Sequence, residues 1–118
     1  EVQSLYSPER HMIFAIKGRT TKAQIAHEQA HAMKFKGRAN NPKGYIEEEI
    51  RAQVVGYRKT GPPKSCMPFL RFINWGLRSM YQCNQTEALR LIHDALVKYK
   101  APTAWMNNYR DWKKELKA

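Results

Sequence analysis

Two imidazoles and a carboxylate at His27, Glu28 and His31 are the residues of this chain whose types and spacing point most directly to chemistry. They stand as His27-Glu28-Gln29-Ala30-His31, an H-E-x-x-H. On a helix, residues i and i+4 lie one turn apart on the same face, so both rings can reach one metal ion. The Glu beside the first His projects next to that face. There it can take a proton from an activated water and hand it to a leaving amine. Small Ala26, Ala30 and Ala32 allow a second element to pack closely around the pair.

A catalytic zinc site uses three protein ligands and keeps one position open. The following segment offers Glu47, Glu48 and Glu49. With Ile46 at 0° and about 100° per residue, Ile46, Ile50, Val54 and Tyr57 share one buried face. Glu48 then points to the opposite, solvated side. Glu47 lies on one border and Glu49 on the other, in line with Gln53 and the small Ala52 and Gly56. Small neighbours let a partner helix approach, which makes Glu49 the preferred third ligand and Glu47 the second choice. An acidic first turn complementing the helix dipole accounts for the remaining carboxylates.

The elements that must hold these groups follow from periodicity and punctuation. His11–Lys17 is a β-branched and aromatic run ended by Gly18, and predicts a strand. Thr21 with Gln24 forms a capping-box pattern opening a helix over Lys22–Lys36. Residues 37–44 have the composition of a loop. Further helices are expected over Tyr45–Lys59 and Phe69–Tyr81, then from Asn84–Thr86 to before Pro102. A last one is capped by Thr103 and carries Trp105, Tyr109, Trp112 and Leu116 on one face, with a frayed, solvated end at 113–117. Phe69, Phe72, Ile73, Leu77 and Met80 recur at helical spacing and are expected inside. The fold class is α+β, mainly α, as one domain over 1–118. A helix between Cys66 and Cys83 keeps them roughly 20 Å apart, too far for a disulfide, so free thiols are expected.

His27-Glu28-Gln29-Ala30-His31, followed by Glu49 on a second helix, resembles the gluzincin branch of the zincin metallopeptidases. Glu47-Glu48-Glu49-Ile50-Arg51-Ala52 is similar to the E-x-E-x-x-A pattern of small bacterial members. The likeness covers about residues 11–59. It implies a small zincin-like domain in which His27, His31 and Glu49 bind one zinc ion and Glu28 is the general base. It also implies an edge strand, along which an extended protein or peptidoglycan-type peptide substrate pairs. An oxyanion-stabilising group is expected as well, with Tyr57, Tyr99, His11 and His93 as candidates.

Twenty-one Lys+Arg against ten Asp+Glu give a net charge of +11, which favours anionic partners. Aromatics and cations interleave from Tyr57 to Arg78, but a packed core with a solvated face accounts for them. Nucleic acid is therefore not the expected partner. A non-enzymatic basic module binding nucleic acid or an anionic envelope is the alternative to a hydrolase. No apolar run approaches the ~18 residues of a membrane span. The chain opens on Glu1 without an initiator Met. With its basic charge and short length, it is expected to be a toxin or effector domain cut from a larger protein, secreted or delivered to a target cell's periplasm.

Overall fold

A computed structural model describes residues 4–7, 12–15, 21–33, 41–61 and 65–117. Two short strands, β1 (Ser4–Ser7) and β2 (Met12–Ala15), pair antiparallel with Ser4 opposite Ala15. Five helices follow: α1 (Lys22–Met33), α2 (Pro42–Thr60), α3 (Met67–Ser79), α4 (Gln85–Lys98) and α5 (Thr103–Lys117). The described chain is mainly helical. Residues 11, 16 and 17 of the expected strand lie outside the described residues, as do the expected end of α1 and the candidate His11.

Local signals explain where the helices begin. The Thr21 hydroxyl accepts from the Gln24 N–H at 3.1 Å while the Gln24 side chain accepts from the Thr21 N–H at 2.7 Å. That is the reciprocal capping box read from the sequence. The start of α2 differs from expectation. Pro42 to Gly44 are helical, not loop, because Asn41 accepts from the Gly44 N–H at 2.7 Å and Pro42 fits the first turn. Asn84 caps α4 through the Glu87 N–H. Thr103 begins α5 from inside the helix, whose first turn closes on the Pro102 carbonyl. At the other end, α5 stays helical through Lys117, so the expected fraying at 113–117 is not found.

The core lies among α2, α3, α4 and α5, where Ile46, Ile50, Leu70, Ile73, Leu77, Ile92, Leu96, Trp105 and Trp112 are fully enclosed. Two residues of the α3 apolar period are not inside: Phe72, on the outer border of α3, is 42% exposed, and Met80, just past its last turn, 55%. Leu116 is 41% exposed, in keeping with a solvated C-terminal end. Trp75 is 58% exposed. Cys66 and Cys83 are free thiols, both buried. Burial pushes the Cys66 thiol up to about 12, so it stays protonated and unreactive. No helix among the described residues is long and apolar enough to cross a membrane.

Helix α1 stands outside this core. It docks on α2 and on the hairpin. Its inner face is Ala26 and Ala30, both buried, against Ala52 and Gly56 of α2. A side chain at Gly56 would meet the His27 backbone nitrogen at 3.1 Å, so the two helix backbones touch there. Gly56→Val should force them apart and destabilise by about 1–3 kcal/mol, the usual cost of overpacking. Chemical denaturation measures this. An unchanged midpoint would mean that α1 does not depend on this contact.

Candidate metal centre

The side of α2 that carries Ala52 and Gly56 also carries Glu48, Glu49 and Gln53, and it faces the stripe of α1 that bears His27 and His31. The close approach of small residues brings the longer side chains of both helices into contact above it. His27 Nε2 and His31 Nε2 are 3.0 Å apart. Glu49 Oε2 lies 3.2 Å from the first and 3.5 Å from the second. Glu28 is buried, and its carboxylate stands 3.8 Å from His27 Nε2. His27, Glu28 and His31 each offer a ligand atom within 4.8 Å of the others.

The outer ring nitrogens are held as well. His27 Nδ1 is 2.6 Å from Gln53 Oε1, and His31 Nδ1 is 2.9 Å from Glu48 Oε2. An amide oxygen and a carboxylate oxygen can only accept, so both Nδ1 positions suit an N–H. With the proton there, each ring would be left to turn an Nε2 lone pair toward the other ring and toward Glu49. Two lone pairs and a carboxylate facing one another at such distances repel unless a cation sits among them. Tetrahedral zinc with ~2.0–2.1 Å bonds spaces its ligand atoms about 3.3 Å apart, close to the 3.0, 3.2 and 3.5 Å separations here. The donor set therefore fits zinc in both chemistry and size.

In the metal-free protein a proton fills that role. Burial alone would lower His31, but its hydrogen bonds to the Glu48 and Glu49 carboxylates outweigh it and raise the ring to about 9. Burial would likewise raise Glu49. The two imidazoles beside it win and hold it near 2. Burial also pushes Glu48 up, against the larger combined pull of Arg51 and His31, which brings it to about 2.

Glu48 is the clearest correction to the sequence reading, which put it in solvent. Its carboxylate receives Arg51 Nε at 2.8 Å and Arg51 Nη2 at 2.7 Å in addition to His31. The wheel had assumed one buried face, whereas α2 is sandwiched between the core and α1. Arg51 also donates to the Ala30 carbonyl of α1 at 2.7 Å, a second link between the two helices. Glu47 faces elsewhere, pairing with Lys98 at 2.8 Å and Lys43 at 4.0 Å. Gln53 had been noted only for its alignment with Glu49; the signal was its position one turn further along the same stripe.

The expected oxyanion candidates have other neighbours. Tyr57 lies edge-on to Trp105, and His93 is exposed beside Tyr109 and Asp94, so both rings meet α5. Tyr99 is half-buried next to Lys98. Phe69 of α3 does reach the centre, with its ring 5.9 Å from that of His27. No family model matches the chain, and no curated protein or solved structure is similar to it.

Proposed function

We propose that the chain is a zinc-dependent hydrolase of peptide or amide bonds, with His27, His31 and Glu49 holding the metal. The observation that supports this most strongly is the convergence of two Nε2 atoms and one carboxylate oxygen, with a buried fourth residue, Glu28, alongside. A purely structural clip would need no such neighbour. Zinc, when bound, acts as a Lewis acid toward the scissile carbonyl and lowers the pKa of water.

The protein's own groups do the rest. Glu28 takes a proton from the attacking water and delivers it to the leaving nitrogen, so the carboxylate ends each cycle ionised, as it began. Gln53 and Glu48 fix the ring orientations of His27 and His31. Arg51 holds Glu48 in turn and ties it to Ala30 of α1. The buried setting of Glu28 and the part-buried one of Glu49 reduce screening of these charges by bulk water.

A mixture of quenched fluorescent peptides tests the reading. Zinc-loaded protein should cleave members of the mixture, lose that activity to a chelator, and regain it when zinc is returned. Cleavage that survives complete removal of metal would contradict it.

A further inference from the structure

The exposed side of α3 has no counterpart in the hydrolase reading. Phe72 and Trp75 are one turn apart, and their rings stack on each other at 6.4 Å with 29° between their planes. Helix α3 buries Leu70, Ile73, Gly76 and Leu77 on its other side, so these two rings take no part in the core. Arg71 immediately precedes them and Arg78 follows. The outward order is thus cation, ring, ring, cation over two turns, about 10 Å of helix.

The sequence around α3 is one-sided in charge. Between Glu49 and Glu87 the sequence carries Arg51, Arg58, Lys59, Lys64, Arg71 and Arg78 and no acidic residue. Arg51 is committed to Glu48. Arg71 meets Glu115 at 3.4 Å, with both side chains more than half exposed, a contact that a stronger anion displaces at little cost. Arg78 has the neutral Gln85 as its partner.

We propose that this face of α3 binds single-stranded nucleic acid, with bases stacking on Phe72 and Trp75 and phosphates meeting Arg71 and Arg78. A pair of flat rings flanked by cations suits a polymer that offers flat bases to stack and phosphates on either side of them. A single strand fits better than a duplex because only unpaired bases offer their faces. An anionic lipid surface would take the cations equally well. It would be entered by an apolar helix stripe, however, and the apolar stripe of α3 is already buried in the core.

Fluorescence anisotropy of a labelled 20-nucleotide thymidine strand tests this with the full chain. Binding should be tight at low salt, weaken steeply as salt rises, and quench tryptophan emission. Phe72→Ala and Trp75→Ala should each weaken it at least about fivefold. Arg71→Ala and Arg78→Ala should each lower the salt slope by about one. Both rings are exposed, so thermal stability should hold in the aromatic variants. The proposal is overturned by absence of binding at low salt, or by affinity that both aromatic variants retain. It is also overturned if those variants lose binding to phosphatidylglycerol vesicles, or dissociate a dimer, while the strand remains bound.

Discussion

Glu28→Gln should leave zinc content at the wild-type level and reduce hydrolysis by roughly 100- to 10,000-fold, the usual range for loss of a general base. The substitution keeps the size and shape of a residue that is only 7% exposed, so packing around α1 is preserved. Only the ability to accept a proton is removed. Because the proposed ligands are His27, His31 and Glu49, with Glu28 as the base, metal affinity should change little. Parallel zinc analysis and single-turnover assays separate the two roles. Wild-type rates in Glu28→Gln would remove Glu28 from the mechanism. Loss of zinc together with activity would make it a ligand instead.

The second large effect concerns Glu49. Groups that merely orient a metal ligand are worth roughly 10–100-fold in affinity, so removing a ligand itself should exceed that range. Glu49→Ala should therefore weaken zinc binding by more than about 100-fold, as read by competition with a chromogenic chelator. Glu47→Ala is the matched control. It lies two residues earlier on the same helix and pairs with Lys98, and it should leave zinc affinity unchanged. Equal losses in both variants would point to disruption of α2 as a whole. An unchanged affinity in Glu49→Ala would leave the two His without their carboxylate partner and refute the three-ligand arrangement.

Much of this centre was legible in the sequence because its determinants are local. The i, i+4 spacing of His27 and His31, the Thr21–Gln24 box and the stripe joining Glu49 to Ala52 and Gly56 all act within one or two turns. What could not be read depended on which helix meets which. Glu48 appeared solvated because a wheel assigns one buried side, and nothing in α2 itself announces a second partner. The Arg51 tie to Ala30 has the same origin, since it depends on α1 lying against α2. Phe72 and Met80 kept the helical period of a core stripe, yet α3 is wide enough at its apolar side to leave its border exposed. Pro42 to Gly44 carry loop-like composition, and the position of Asn41 overrode it.

The arrangement also accounts for why α1 can be held with so little apolar surface. Its inner face is alanine, and the Gly56 approach, the Arg51 bond to Ala30 and the polar contacts of His27 and His31 with Gln53, Glu48 and Glu49 link it to α2. Bound metal would add a further tie through His27, His31 and Glu49.

The most direct test of the central claim is zinc per chain by elemental analysis. The protein should carry no polyhistidine tag, and should be incubated with zinc and then dialysed exhaustively. One equivalent is expected in the wild type, and close to none in a His27→Ala, His31→Ala double variant that remains folded. Wild-type protein that retains no zinc, or a double variant that retains as much, would contradict a metal centre at this position.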